Sequence, residues 1–432
     1  MADLEHKEPT EYVKETIKVK PVNKRKLLRR TLITASMALL FGLIACFTFL
    51  VLEPVISNWL YPEAPPPVVT FPEDEEEMEP EDMLAENMQE PSSDVITEYQ
   101  ADGVQMRLDW TDYDDMSKSL AKYVGIVNRS MVTVTSVTYN VNLFQDIQTY
   151  QNQSSGMVIT ENGVELLILA DYEQIKDAQK IMVTFHNYLE MEAVLRQYDT
   201  ATNIAILAVS LSALPEQSRE ELSIVSFGSS KRDDLVGMPV VAIGNPMGTG
   251  VSVGYGYITN DGTPLKLIDR NYKLLLTDIQ GSPEGSGVLF DLEGKVVGLI
   301  TNQHKIPHME NMITAIGITE VKGVIEKMSN GKRIPYMGIG CVDVPRESQK
   351  SLGLPEGVYV TDIAMDSPAM RAGVNQGDVI VRINAKAVRD VEDFNEVLMN
   401  LSPEMEIEMA VRRQSQGEYK IKTFEIVLGD AK

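Results

Sequence analysis

The stretch around Ser286 carries the residues of this chain best suited to covalent chemistry. Ser286 lies between Gly285 and Gly287, and Gly281 precedes it in the same predicted turn. Glycine takes positive φ without steric cost, so such a turn lets amide N–H groups converge beside a hydroxyl, as attack on a carbonyl requires. The same pattern is common in ordinary loops, and taken alone it leaves both interpretations open.

A serine nucleophile also needs a general base, and the chain has only four histidines. His6 precedes a predicted membrane span and is out of reach. His186 lies in a predicted hairpin, where we expect an exposed side chain. His304 and His308 follow the apolar strand that comes after Ser286. Either is a candidate base, and the alternative is that both lie in a surface loop.

The elements that must position Ser286 begin after an apolar run at residues 31–52, which contains no charge. At 1.5 Å per residue the run is about 33 Å long, enough to cross a bilayer core. No small-residue cleavage pattern follows it, which favours an uncleaved transmembrane helix over a signal peptide. The basic residues of the tail, residues 1–30, place the N-terminus in the cytoplasm and the rest of the chain outside.

Composition limits the remaining function classes. Of 432 residues 44% are hydrophobic, as in a globular protein, and the net charge is −24. Residues 73–115 carry 17 acids and one base, within an acidic, proline-rich linker predicted at residues 53–116. We expect a solvated spacer there, with a cation-binding or partner-binding tail as the alternative. The sequence has no basic stripe of the kind that binds nucleic acid, so we do not expect a nucleic-acid partner.

Many short strands separated by turns are predicted over residues 117–330, and this pattern is typical of a β-barrel or sandwich. A helix is expected at residues 318–328. A second unit follows at residues 336–430, with strands, a short helix closed by Gly373, and a longer helix at residues 391–401. Its length suits one small α+β domain.

The order of these pieces resembles the HtrA/DegP family of envelope serine proteases: an anchor, a trypsin-like double β-barrel and a C-terminal PDZ domain. The resemblance covers about residues 117–430. It rests on Ser-Gly-Met-Val-Ile-Thr from Ser155, Val-Ala-Ile-Gly-Asn-Pro-Met-Gly from Val241, and the serine loop between Thr277 and Gly298. In the second unit it rests on Leu-Pro-Glu-Gly-Val-Tyr-Val from Leu354, Asp366-Ser-Pro-Ala, and Gly-Val-Asn-Gln-Gly-Asp-Val-Ile from Gly373. It implies a mainly β fold and a single-pass bacterial plasma-membrane protein with barrel and PDZ domain outside the cell.

The chain departs from this family at the positions that would carry catalysis. The resemblance places Glu173 where the family has histidine and Asn203 where it has aspartate. Ser286 is retained, but Glu284 replaces the glycine whose N–H forms half of the oxyanion hole. A triad that lacks its base and its orienting carboxylate typically loses several powers of ten in rate. These four residues therefore predict a pseudoprotease.

The PDZ-like unit needs no catalysis to function. By resemblance, its loop at residues 336–339 would bind the C-terminal carboxylate of a peptide through successive backbone N–H groups, while the peptide adds a strand to the sheet edge. The loop residues expected at the ligand are Tyr336, Met337, Gly338 and Ile339, and the side chains expected to line its pocket are those of Ile339, Phe394 and Leu398. For the apolar members, packing in the domain core is an equally open interpretation.

Two functions therefore compete. The first is a membrane-anchored pseudoprotease that binds peptide termini or unfolded polypeptides in envelope quality control, sensing or scaffolding. The second is an active endopeptidase that uses Ser286 with a non-standard base. Neither calls for a cofactor or a metal. Family members often assemble as trimers, and the resemblance leaves a homotrimer open.

Overall fold

The computed structural model describes residues 29, 32–44, 47–48, 66–72, 74, 110–141, 147–301, 303–304, 306–307 and 309–431. Residues 1–65 form one unit and residues 66–432 another. In the first unit, residues 32–44 form helix α1 with exposed side chains. Within the described ranges no helix has the length and apolar character that crossing a membrane requires. The remaining residues of the predicted membrane span, 31, 45–46 and 49–52, lie outside those ranges.

The second unit opens with α2 and a closed six-stranded barrel, whose strand order is β1-β2-β3-β6-β5-β4. Alternation of buried and partly exposed residues marks β4, whereas β3 is an apolar run buried on both faces. The elements are α2 (Trp110–Val127), β1 (Met131–Val141), β2 (Ile147–Glu161), β3 (Glu165–Asp171), β4 (Lys180–Thr184), β5 (Glu190–Asp199), β6 (Ile204–Ser210) and α3 (Glu216–Glu221).

A second sheet follows in the order β11-β8-β9-β10-β13-β12-β7, and pairing of β11 with β12 closes it into a barrel. The predicted helix here is α4, which buries five apolar residues against the barrels. The elements are β7 (Ser226–Phe227), β8 (Pro239–Asn245), β9 (Ser252–Leu267), β10 (Arg270–Gln280), β11 (Ser286–Phe290), β12 (Lys295–Ile300), β13 (Met312–Gly317) and α4 (Ile318–Ser329).

The C-terminal part has its own core and a sheet in the order β15-β16-β17-β19-β20, with β18 beside β17. Ser367 caps α6, and Gly373 ends this helix at φ 88°, as its sequence predicts. The elements are β14 (Pro335–Tyr336), β15 (Ile339–Asp343), α5 (Arg346–Leu352), β16 (Val358–Ile363), α6 (Pro368–Ala372), β17 (Val379–Ile383), β18 (Lys386–Ala387), α7 (Val391–Met399), β19 (Glu406–Ser415), β20 (Glu418–Val427) and β21 (Gly429–Asp430).

The β9–β10 hairpin is longer than the sequence predicts. We expect strands only at residues 250–258 and 272–276, because polar residues between them suggest a loop. The two strands instead pair as far as Leu267 and Arg270. Asp269 forms the tip with φ 65°, a left-handed conformation that Asp and Asn tolerate best among non-glycine residues.

Part of the expected linker is docked rather than solvated. Val69 is buried, its N–H donates to Asn330 Oδ1 at 2.8 Å, and Asn330 Nδ2 donates to its carbonyl at 2.7 Å. Asp74 accepts from Lys322 Nζ at 3.0 Å and from Ser229 Oγ at 2.9 Å. These contacts hold the segment against α4. The Asn330 side chain bonds both the N–H and the C=O of Val69, as the backbone of a neighbouring strand would. Residues 75–109 of the linker lie outside the described ranges.

Candidate active site and peptide groove

Ser286 is the first residue of β11, where it pairs with Asn245 of β8. Its side chain is buried, with 4% exposure, and Oγ accepts a hydrogen bond from the Ser155 N–H at 3.2 Å. The next residue, Gly287, has φ 138°, and a Cβ there would lie 2.3 Å from the Ile243 carbonyl oxygen. Only glycine therefore lets β8 approach the serine this closely.

The N–H groups of the turn before Ser286 donate to acceptors within the protein, both inside the turn and in the neighbouring loop. Ser282 Oγ accepts from the Glu284 N–H at 3.2 Å, and the Ser282 carbonyl accepts from the Gly285 N–H at 2.9 Å. The Ser282 N–H donates to the Pro246 carbonyl at 2.9 Å. The Glu284 N–H at the predicted oxyanion position therefore already donates a hydrogen bond within the protein. The Glu284 side chain is exposed.

Glu173, predicted at the base position, lies at the surface. Its carboxylate pairs with Lys176 Nζ at 2.5 Å, and the two side chains are 43% and 41% exposed. The side-chain amide of Asn203 is hydrogen-bonded at both ends: Oδ1 accepts from the Glu173 N–H at 2.7 Å and Nδ2 donates to Asp171 Oδ1 at 2.8 Å. Asn203 thus ties two neighbouring segments together, and it does so at φ 60°.

Asp171 is a site residue that the sequence interpretation missed. It lines a cavity of about 40 Å³ together with Ser155, Asn203 and Ser286, room for only a few water molecules. Burial raises the pKa of Asp171, although the hydrogen bond from Asn203 opposes that shift. The structure therefore brings Ser286 and Asn203 to one cavity, which Glu173 does not line. The available signal was the position of Asp171, at the end of a buried strand.

Of the two histidines that the structure describes, His186 and His304, neither is hydrogen-bonded to Ser286. His304 is hydrogen-bonded to the backbone of Ala201, and its Nε2 is buried without a partner. Burial lowers the pKa of His304, which keeps the ring neutral near pH 7. His186 is partly buried with an unpartnered Nδ1, so the expectation of an exposed side chain is wrong. His186 lies in a tight turn in which the Tyr188 N–H donates to the Phe185 carbonyl. His308 lies outside the described residues.

The predicted carboxylate-binding loop holds a carboxylate, that of Asp269 at the hairpin tip. The N–H groups of Met337 and Ile339 donate to its two oxygens at 2.6 and 2.7 Å, and the Gly338 N–H donates to both at 2.7 and 2.9 Å. Burial raises the pKa of Asp269, and these N–H donors oppose the shift. Gly338 is required at φ 88°, because a Cβ would lie 2.2 Å from that of Ser367.

The apolar side chains of the predicted carboxylate-binding loop and of the expected peptide pocket are packed in the PDZ core. Each is no more than 2% exposed in one cluster, whereas Tyr336 is partly exposed. The buried residues are Met337, Ile339, Phe394 and Leu398. Core packing, the alternative left open by the sequence, therefore describes these four side chains in this structure.

Arg270 follows Asp269 and anchors the hairpin tip to the first barrel. Its guanidinium donates two hydrogen bonds to Asp199 at 2.8 Å each, and both side chains are almost completely buried. Burial alone would raise the pKa of Asp199, but the charge and hydrogen bonds of Arg270 outweigh it and hold this pKa below its usual value. Asp199 also accepts from the Thr202 N–H at 3.1 Å. The tip is thus tied to the segment that carries Asn203.

Two closed barrels with a serine at the start of β11, followed by a domain with a carboxylate-binding loop, define a trypsin-like fold joined to a PDZ domain. Sequence models of the corresponding families match: the trypsin-like peptidase domain at residues 154–299 and the PDZ domain at residues 335–428.

Curated relatives support the same grouping. A probable periplasmic serine endoprotease, DegP-like, of Halomonas elongata is 29% identical over 282 residues, covering 64% of this chain and 56% of that protein. A serine protease Do-like HtrB of Bacillus subtilis is 28% identical over 264 residues, covering 56% of each. The chain thus spans about half the length of the curated relatives it matches.

Solved structures share the fold. HtrA-type protease AlgW with a decapeptide has a TM-score of 0.53 and 23% identity, covering 71% of this chain and 98% of that chain. Its complex with a tripeptide has a TM-score of 0.51 and 22% identity, covering 71% and 96%. The two domain matches and the curated relatives place the chain in the HtrA/DegP-like family, and the solved structures show the shared fold.

Proposed function

We propose that this protein is a catalytically inactive HtrA-like protein that binds peptide termini or unfolded polypeptides through its PDZ domain. The observation that carries the proposal is the bonding of the Ser286 hydroxyl to the Ser155 N–H, while the Glu173 carboxylate pairs with Lys176. Among the residues that the structure describes, no imidazole or carboxylate is hydrogen-bonded to that hydroxyl. A serine without a general base is a poor nucleophile near pH 7.

The bonding of the serine loop supports the same conclusion. An oxyanion hole requires donors aimed at the developing negative charge. The Glu284 and Gly285 amides donate instead to Ser282. Acyl transfer would need this loop to rearrange as well as a new proton acceptor.

We infer the location from the sequence. The uncharged run at residues 31–52, with basic residues before it, supports a single-pass anchor in a bacterial plasma membrane and an extracytoplasmic barrel and PDZ domain. The periplasmic relative named above fits this topology. A trimeric assembly remains part of the proposal, to be checked by light scattering of the purified chain.

Casein and fluorogenic-peptide cleavage test the proposal, with Ser286→Ala as the matched control. We expect the two proteins to be equally inactive. We also expect no labelling of Ser286 by a fluorophosphonate under conditions that label an active HtrA-type protease. Turnover that disappears in Ser286→Ala would refute the inactive assignment.

A second candidate is an active endopeptidase, which the names of the curated relatives favour. Asp171 lines the same cavity as Ser286. Its pKa is raised, which moves it toward the neutral pH at which a general base works best. If turnover is found, Asp171→Asn should abolish it. His304→Ala tests the other base that the sequence suggests.

A further inference from the structure

The carboxylate loop of the PDZ domain is fully used within this chain. Asp269 accepts four hydrogen bonds of 2.6–2.9 Å from three consecutive backbone N–H groups and is 2% exposed. In the PDZ mode of recognition these donors would bind the terminal carboxylate of a peptide. Two carboxylates cannot bind these N–H groups at the same time, because the groups already donate to Asp269 and the two negative charges would repel each other.

The residues beside Asp269 also occupy the place of a bound peptide strand. The Asp269 N–H donates to the Ile339 carbonyl at 2.7 Å, and Asn271 Nδ2 donates to the Cys341 carbonyl at 3.2 Å. Both acceptors belong to the backbone of β15, the type of edge that an added peptide strand pairs with. From the other side, Asn395 of α7 donates to the Asn271 carbonyl at 2.7 Å. Residues 269–271 thus lie between β15 and α7.

The hairpin tip is presented by a fixed support. Arg270 points away from the PDZ loop into the barrel, where Asp199 holds it through two hydrogen bonds. Adjacent residues therefore bond in opposite directions, one to each domain. Such a tip loses little conformational entropy when it enters the groove, which favours it over a free peptide.

We propose that the tip of the β9–β10 hairpin is an internal ligand of the PDZ groove, with the Asp269 carboxylate in the position of a peptide terminus. A peptide with a free C-terminal carboxylate and the hairpin tip are then mutually exclusive, and the peptide binds only after the tip withdraws. The part of this inference that concerns external peptides rests on the proposed peptide-binding function.

Hydrogen exchange on the full-length chain tests the internal ligand directly. Asp269→Gly removes the carboxylate while accepting φ 65° without strain, and Asp269→Asn keeps the backbone and one acceptor oxygen. Asp261→Ala, on the same hairpin, is the control. We expect exchange at the amides of residues 337–339 to accelerate about tenfold or more in Asp269→Gly and less in Asp269→Asn. Unchanged exchange in Asp269→Gly would overturn the proposal.

Competition measures the consequence for ligands. The probe is a fluorescein-labelled decapeptide ending in valine with a free carboxylate, and its C-terminal amide is the control. We expect Asp269→Gly to bind the free acid about tenfold more tightly than the wild type or Asp261→Ala does, and the amide weakly. Equal affinity of all three proteins for the free acid would overturn mutual exclusion. If exchange accelerates but no protein binds the peptide, the internal ligand stands and the proposed peptide-binding function fails.

Discussion

The hydroxyl of Ser286 accepts a hydrogen bond from the backbone N–H of Ser155 at 3.2 Å. This contact joins β11 of the second barrel to β2 of the first, so the hydroxyl at the predicted nucleophile position connects two halves of the fold. Asn203 and the Glu284 and Gly285 amides of the serine loop are also hydrogen-bonded within the protein, so the predicted catalytic region is extensively bonded.

Placing at position 203 the aspartate that the sequence resemblance predicts there should destabilise this protein. In Asn203→Asp a carboxylate replaces the amide that donates to buried Asp171, so two carboxylates face each other and the pKa of one rises further. We expect a loss of about 2 kcal/mol at pH 7 in urea unfolding. A raised folded-state pKa means that the penalty grows as pH rises above the usual carboxyl value of 3.8.

The backbone does not account for that loss, because aspartate tolerates φ 60° about as well as asparagine. The double variant Asp171→Asn/Asn203→Asp exchanges the two groups and should recover most of the stability. A double variant as unstable as Asn203→Asp would show that like-charge repulsion is not the cause.

Breaking the buried Arg270–Asp199 pair from one side should be costly. Asp199→Asn leaves the Arg270 guanidinium buried without its counter-charge, and we expect a loss of about 3–5 kcal/mol at pH 7. The folded-state pKa of Asp199 is depressed, so the stabilisation is complete above the usual value of 3.8 and is lost as pH falls through the lower folded value. Urea midpoints of wild type and variant should therefore converge below pH 3.8 and differ by a constant amount from pH 5 to 8. A difference that increases with acidification would contradict this.

Gly338 should be far less replaceable than Gly353, although both have positive φ. At Gly353, with φ 64°, a Cβ meets no atom within 4 Å, so Gly353→Ala costs only backbone strain of about 1 kcal/mol. At Gly338 the Cβ clashes with Ser367, and we expect Gly338→Ala to lose about 3 kcal/mol. The urea midpoint reports both values. Similar losses in the two variants would mean that the loop yields to accommodate the methyl group.

The docked segment at residues 66–74 should depend on Asn330. Asn330→Ala removes both hydrogen bonds to Val69, and we expect a loss of about 1–2 kcal/mol and faster proteolysis within this segment. Asn162→Ala, which removes two turn hydrogen bonds in the first barrel, is the control. Cleavage of residues 66–74 should be unchanged in that control, and protection of the segment in Asn330→Ala would argue against this mode of docking.

The sequence by itself predicted most of the strands and the α4 and α7 helices, and it carries the residue types that the family resemblance places at the catalytic positions. These features are local: alternation of apolar residues specifies a strand, and Gly373 ends a helix whatever lies around it. The extended β9–β10 hairpin was missed because its outer half is polar and reads as a loop. Its strands pair with each other, and the paired residues Leu265 and Tyr272 are buried in the core, a long-range contact that the local sequence pattern does not show.

Only the tertiary structure decided which groups bond to the predicted sites. Asp269 lies 68 positions from Met337, and Ser155 lies 131 positions from Ser286. A lone aspartate in a polar turn carries no sign of its distant partner, because donors and acceptors far apart in the chain are matched only when the barrels close and the domains pack. The sequence therefore specified the carboxylate loop and the serine turn, while the packing of the chain on itself determined what occupies them.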